Sequence, residues 1–259
     1  MKQQIQLSDH FDYGRLIRFT LPSICMMIFT SIYGMVDGFF ISNCVGKTAF
    51  ASVNIIIPYL QILGGVGAML GVGGSALVAK TLGEGDTKRA GRYFTMMMYL
   101  MVGTSIFFTI VGIATLRPVA YLFGATDAMI NDVMTYGTIC LLFNIALQAQ
   151  YTFQSYLVVA EKPKFALTVV IAAGISNMVL DYLFMVPFHM GVAGAALATG
   201  LSQCVCSGVA IYLVYKREES VFTSFYEDTL RKQTNVACLY QWFFGNDVKR
   251  IRIYYRHSV

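Results

Sequence analysis

Six long apolar segments constrain the fold of this chain more than any other feature of its sequence. Each is longer than the roughly 20 residues that a helix needs to cross the hydrocarbon core of a bilayer. Inside lipid, only helices and closed barrels satisfy all of their backbone hydrogen bonds. The sequence therefore predicts an all-α polytopic membrane protein, a bundle of six transmembrane helices. The predicted spans cover residues of about 16–41, 49–79, 90–116, 129–159, 165–186 and 192–215.

The composition agrees with a membrane protein and disfavours a nucleic-acid partner. Of the 259 residues, 56% are hydrophobic and only 13% are charged, whereas a soluble domain carries about 25% charged residues. The net charge of +5 would suggest nucleic acid in a soluble protein. Here the Lys and Arg residues gather in the loops, as they do beside transmembrane helices. The predicted partners are the lipid bilayer and a small molecule, with no nucleic acid.

The distribution of Lys and Arg predicts the orientation in the membrane. With the N-terminus inside, eleven of the nineteen basic residues lie on inner segments, Lys47 and Arg117 lie outside, and six belong to the C-terminal tail. Cytoplasmic loops carry the excess of Lys and Arg. We therefore expect an integral, multi-pass protein of the plasma (inner) membrane with a cytoplasmic N-terminus. An even number of spans returns the chain to the cytoplasm.

The sequence carries no sign of enzymatic chemistry. The three histidines, His10, His189 and His257, fall at the ends of the chain or in loops. The six cysteines show neither a CxxC pair nor the spacing of metal ligands. No nucleophile pairs with a base. We therefore expect no enzyme and no cofactor.

Two carboxylates lie deep in predicted spans, and they are the strongest functional candidates. Asp37 occurs in "SIYGMVDGFFIS" and Asp181 in "ISNMVLDYLFMV", while the other twelve of the fourteen acids lie in hinges, helix ends or termini. A charged group at the bilayer centre costs about 3 kcal/mol on insertion scales, and such residues commonly serve a function. The alternative is that each Asp only satisfies a neighbouring Ser, Asn or backbone group.

Asn177 precedes Asp181 by four residues, which places both on one face of a helix. No basic residue lies deep in any span to pair with the acids. An amide and a carboxylate inside a bundle form a candidate site for a proton or for Na⁺, with Asp37, Asn177 and Asp181 as the Na⁺ ligands. These residues alone do not distinguish a proton site from a Na⁺ site.

Other polar residues within the spans are weaker candidates. For each of them, hydrogen bonding between helices is a stronger explanation than ligand contact. This group comprises Asn54, Asn144, Gln148, Gln150, Gln154, Thr199 and Gln203.

Four stretches carry a resemblance to a known family. They are "LPSICMMIFTSIYGMVDGFFIS", "GVGGSALVAKTLGEGD", "NMVLDYLF" and "GVAGAALATGLSQ", in that order. From about Arg15 to Tyr215 the chain resembles the N-terminal half of a MATE (multidrug and toxic compound extrusion) transporter. The resemblance implies twelve helices in two six-helix lobes. It also implies that organic cations or other amphipathic compounds are exchanged for Na⁺ or H⁺.

The resemblance also assigns roles to particular residues. The acid of the family's first helix matches Asp37, the amide–acid pair of the fifth matches Asn177 and Asp181, and the polar residue of the sixth matches Thr199. Together these four would form a cation- or proton-coupling cluster. Many relatives carry Asn in the fourth helix, where this chain offers Gln154. The candidates for the wall of a substrate cavity are Gln154, Tyr33 and Asn144.

The C-terminal tail departs from the family pattern. The expected division is a cytoplasmic segment 1–15, a six-helix lobe 16–216 and a mostly polar, basic tail 217–259, where a connector and six further helices would follow in the family. Back-translating "YQWFFGND" as TAC CAA TGG TTC TTC GGA AAT GAT and moving the frame by one base gives T-N-G-S-S-E-M. That motif resembles the start of the family's seventh helix. We therefore expect a frameshift upstream of about Arg231.

Two alternatives stay open at this point. The tail could be a true basic segment that binds the inner leaflet through its Lys and Arg residues. The whole chain could also be a non-transporting or homodimeric half-size membrane interaction protein, since glycine and alanine line faces of its second and sixth spans. Otherwise it is one lobe of a transporter that works only with a second lobe.

Overall fold

The computed structural model describes residues 13–159 and 163–216, and within those ranges the protein is all helical, without a strand. This confirms the predicted fold class. Most of the predicted segment 1–15 and all but the start of the region after Tyr215 lie outside the described residues. The helices are α1 (Tyr13–Phe40), continued by a π-helical turn (Ile41–Val45), α2 (Lys47–Gly83), α3 (Thr87–Leu122), α4 (Ile130–Leu142), α5 (Asn144–Val159), α6 (Pro163–Met185) and α7 (Gly191–Lys216).

In the described part of the chain, five helices are each long and apolar enough to cross a membrane. Helices α4 and α5 provide a sixth span if they are taken together. At 1.5 Å per residue, the 37 residues of α2 extend over about 56 Å, well beyond a hydrocarbon core of about 30 Å. The protein is therefore an integral, multi-pass membrane protein whose longest helices continue past the bilayer core.

The fourth predicted span, 129–159, is broken rather than continuous. Helices α4 and α5 meet at Phe143 with a bend of 54° between them. The sequence predicts one apolar span here, and the apolar pattern continues across the break without marking its position. Hydrogen bonds between α3 and the two helices stabilise the bend. The Thr109 hydroxyl donates to the Leu141 carbonyl over 3.0 Å, and the Asn144 amide donates to the Ser105 carbonyl over 3.2 Å.

Helix α3 is longer than predicted at both ends. It begins at Thr87, where the Asp86 carboxylate accepts a hydrogen bond of 2.9 Å from the Arg89 backbone N–H and so caps the helix. It then continues through Pro118 to Leu122. The predicted span ends at residue 116, but the helix includes the first half of "RPVAYLFGATD". Pro118 has no backbone N–H and so omits one helical hydrogen bond, while the other residues of this turn remain helical.

Helices α2 and α5 approach each other closely along a face of α2 that consists of glycine residues. A Cβ atom added at Gly67 would lie 2.6 Å from the Gln148 Cα atom, and one added at Gly71 would lie 2.9 Å from the Thr152 Cα atom. At Gly65, which points elsewhere, nothing lies within 4 Å. Small residues allow such close approach in membranes. We call this face the glycine seam; its residues are Gly64, Gly67, Gly71 and Gly74.

Buried polar groups reinforce the glycine seam. The Thr152 hydroxyl donates to the Gly67 carbonyl over 3.1 Å, and the Gln148 amide donates to the Leu63 carbonyl over 3.4 Å. Both partners are buried, and both are carbonyls of the neighbouring helix. These bonds follow the expectation that most polar residues within the spans join helices.

Helix α6 lies between α1 and α7 and packs against both. A Cβ atom added at Gly174 would lie 2.5 Å from the Phe29 ring and 3.1 Å from the Tyr33 ring, so α1 passes close to α6 at this turn. Asn177 and Asp181 follow Gly174 at helical spacing and are buried. The face that their spacing predicts is therefore directed into the protein and away from lipid.

Candidate functional site

Asp37 lies near the end of α1, beside a cleft of about 530 Å³ between α1 and the start of α2. Its Oδ1 atom is buried and has no hydrogen-bond partner among the described residues. The cleft connects this carboxyl group with polar side chains at the same end of the two helices. They are Ser31, Ser42, Asn43 and Asn54.

Asp181 and Asn177 present further buried acceptor atoms without partners. Their exposed fractions are 0% and 2%. Both carboxyl oxygens of Asp181 and the Oδ1 atom of Asn177 lack a hydrogen-bond partner in the described chain. With Asp37 Oδ1 they make four such oxygens. Buried polar atoms in proteins are almost always bonded, and a proton or a cation would satisfy these free acceptors.

The two acids belong to one electrostatic environment although they come from different helices. The Asp37 carboxyl group lies close enough to Asp181 of α6 and to Tyr33 of its own helix for electrostatic interaction. It also reaches Tyr136 and Cys140 of α4. Two uncompensated carboxylates in one buried cluster are unfavourable. The arrangement therefore favours binding of a proton or a small cation.

Tyr136 joins Thr199 to this cluster, and sequence reasoning missed it. Its side chain is 4% exposed, and its hydroxyl lies beside the side chains of Thr199 on α7 and Cys140 on α4. Tyr33 was the one phenol among the candidates taken from the sequence, and Tyr136 was not among them. The available signal was the spacing of Tyr136 and Cys140, which places two polar groups on one face of an otherwise apolar helix.

The three cavity candidates lie in different surroundings. Tyr33 lies within electrostatic range of Asp37 and also of Tyr151 on α5. Asn144 is 2% exposed and its amide is bonded to α3, so its side chain joins helices. Gln154 is half-buried on α5, and the role expected for it stays a prediction.

The chemistry of the cluster restricts the ions that it suits. In the described part of the chain, no three His, Cys, Asp or Glu side chains come together as a metal site. The free acceptors are two carboxyl groups and one amide oxygen. Such all-oxygen donors suit hard cations and do not suit soft transition metals. The donor set therefore fits Na⁺ as well as it fits H⁺.

Comparison with known proteins gives the family. The MatE family model matches residues 22–183, a range that contains Asp37, Asn177 and Asp181. The multidrug export protein MepA of Staphylococcus saprophyticus is 20% identical over 208 residues, which cover 80% of this chain and 46% of that protein.

Solved structures agree on the fold. An outward-facing multidrug resistance MATE family transporter of the MOP superfamily superposes with a TM-score of 0.74 at 23% identity, over 80% of this chain and 46% of the other. A MOP superfamily transporter from Pyrococcus furiosus gives a TM-score of 0.74 at 23% identity, over 80% and 45%. This chain thus spans about half the length of the relatives that it matches. The matches confirm the resemblance read from the sequence, and the chain belongs to the MatE family.

Proposed function

We propose that the chain is the N-terminal lobe of a cation-coupled antiporter that exports drugs or other amphipathic xenobiotic compounds. The observation that carries this proposal is the cluster of Asp37, Asn177 and Asp181, in which four buried side-chain oxygens have no partner in the described chain. Intramembrane acids without a basic partner mark ion pathways in transporters. The names of the multidrug relatives support the substrate class. The coupling ion, H⁺ or Na⁺, is the only cofactor proposed, and no catalytic step is involved.

The proposed coupling follows from the position of the cluster between helices. Asp37 lies on α1, Asp181 on α6 and Thr199 on α7. A proton or Na⁺ bound among them removes net negative charge from the interior, and its release restores that charge. The ion-bound and ion-free states favour different packing of α1 against α6. Binding of the ion shifts the equilibrium between these two conformations by the difference in its affinity for them. The cleft beside Asp37 gives the ion a route to the cluster.

Transport by the two-lobe protein, which is the version with the reading frame shifted by one base before codon 231, tests this function. The protein is reconstituted in liposomes, and export of a fluorescent organic cation is followed after a pH gradient or a Na⁺ gradient is imposed. We expect one of the two gradients to drive dye movement against its concentration gradient. Replacement of Glu84, an exposed acid in the α2–α3 loop, by Gln serves as the control and should leave transport unchanged. Dye movement that responds to neither gradient would contradict the proposal.

The proposed partner is a second lobe. Much of α1 is exposed in this chain and offers large apolar side chains to its surroundings, among them Leu21, Ile24, Met27, Met35 and Phe39. The alternative is a second copy of this chain, either as a homodimeric half-transporter or as a non-transporting interaction protein. A measurement of transport by the chain alone distinguishes a second lobe from a second copy, as described in the Discussion.

We also propose that the N-terminus is cytoplasmic and that the protein resides in the plasma membrane, because Lys and Arg are concentrated on the corresponding loops. Cys44 is exposed in the π-helical turn next to Lys47 and should lie outside. A membrane-impermeant maleimide is expected to label it on intact cells, and Cys44→Ser should remove that label. In the Cys44→Ser background, Glu84→Cys should react only after permeabilisation. Labelling of Glu84→Cys on intact cells would reverse the assigned orientation.

A further inference from the structure

The bend between α4 and α5 is braced from outside the fourth span, and both parts of the brace involve α3. The Thr109 hydroxyl donates to the Leu141 carbonyl over 3.0 Å. In a continuous helix, that carbonyl would accept from the backbone four residues later. The Asn144 amide donates to the Ser105 carbonyl over 3.2 Å and to the Thr109 hydroxyl oxygen over 3.4 Å. Thr109 therefore bonds to both helices at the point where they meet.

The same bend is fixed against α7 beside the cation cluster. A Cβ atom added at Gly200 would overlap the Phe143 ring, so the ring rests directly on the backbone of α7. The preceding residue of α7 is Thr199, which lies beside the Tyr136 hydroxyl. Tyr136 and Phe143 are seven residues apart, two helical turns. The position of the bend therefore determines where Tyr136 meets Thr199.

We propose that Thr109 and Asn144 are positioning residues for the cation cluster, an inference that rests on the proposed function. In this role they act through the bend and not as ligands of the ion. They hold the bend of the fourth span so that Tyr136 reaches Thr199 within the electrostatic environment of Asp37. Without the Thr109 hydroxyl, the Leu141 carbonyl loses its partner on α3. The span can then recover the bond by straightening, which moves Tyr136 relative to α7.

The test uses the chain itself and does not depend on transport. A hydrophobic carbodiimide adds to protonated carboxyl groups inside membranes and leaves a stable N-acylurea. Mass spectrometry of the purified 259-residue chain in lipid nanodiscs reports its formation at Asp37 and Asp181. The measured quantity is the pH, or the Na⁺ concentration, at which labelling is half-suppressed. Thr109→Val removes the hydroxyl at nearly constant volume, and Thr109→Ser retains it.

We expect Thr109→Val to shift the half-suppressing ion concentration about three- to tenfold, the usual weight of one buried hydrogen bond, and Thr109→Ser to restore it. The control is Thr135→Val. Among the described residues, its hydroxyl bonds to the Asn131 carbonyl of its own helix and to no other helix, so no shift is expected. Asn144→Ala removes the other half of the brace and should shift the midpoint in the same way, which keeps the test open if one variant does not fold.

The outcomes separate the two proposals. If the wild-type chain responds to pH or Na⁺ and both Thr109→Val and Asn144→Ala respond identically to it while folded, the positioning role is wrong and the cation site stands. An equal shift in Thr135→Val would also overturn the positioning role. If labelling of the wild-type chain responds to neither ion, the cation site itself is wrong, and the positioning role is lost with it.

Discussion

Replacing Asp37 by Asn is expected to abolish ion-driven export in the two-lobe protein, a loss of at least about tenfold that brings dye efflux to the level of empty cells. Asn keeps the size of the side chain but cannot alternate between a charged and a neutral form, and it offers Na⁺ no negative charge. Because the Asp37 Oδ1 atom has no hydrogen-bond partner in the described chain, the substitution should not disturb packing. The measurement is dye efflux at matched membrane levels of protein.

Asp181→Asn should give the same result, since Asp181 shares the electrostatic environment of Asp37. Glu84→Gln provides the matched control, because it also removes one carboxylate but from an exposed loop. Full efflux by Asp37→Asn, with normal ion dependence, would remove this residue from the coupling mechanism. Loss of the protein from the membrane would instead indicate a structural role, which immunoblotting of membranes distinguishes.

The 259-residue chain expressed by itself is expected to export no dye above background. Alternating access requires two bodies that move about a shared site, and the described helices form only one. A large part of α1, the helix that carries Asp37, remains uncovered. Shifting the reading frame by one base before codon 231 should restore export if the tail arises from a frameshift. The measurement is efflux from cells that express each version at equal membrane abundance.

Robust, ion-dependent efflux by the unaltered chain would contradict this expectation. It would favour the alternative in which two identical copies form the transporter, as an even number of spans allows because both copies then have the same orientation. A tandem fusion of two copies should in that case be active, whereas a fusion of one wild-type copy and one Asp37→Asn copy should lose activity. The single chain and the frame-restored version thus discriminate between a second lobe and a second copy.

Much of the architecture could be read from the sequence because a bilayer permits few solutions. Apolar length identifies spans, and the rarity of charge within them drew attention to Asp37 and Asp181. The spacing of Asn177 and Asp181 placed both on one face of a helix, and that face is buried. These inferences depend on local properties of the chain, on which periodicity and composition report directly.

The bend at Phe143 and the place of Tyr136 could not be read in this way, because both depend on other helices. Nothing in "TICLLFNIAL" breaks a helix, and the bend is stabilised by Thr109, more than thirty residues earlier in the chain. Tyr136 resembles an ordinary apolar-span aromatic until α7 places Thr199 beside its hydroxyl. Contacts that link distant segments leave no periodic trace in a single sequence.

The glycine seam has a consequence for how this lobe can evolve. A glycine codon changes amino acid only by adding a side chain, so every coding single-base substitution at Gly67 or Gly71 inserts at least one carbon where the α5 backbone lies within 3 Å. No substitution adds less than one carbon, so α5 cannot adjust to the change gradually. Gly65, with open space around it, carries no such restriction. Two glycines of one helix, two residues apart, thus differ in mutational freedom: Gly65 can change alone, and Gly67 can change only together with the helix that it touches.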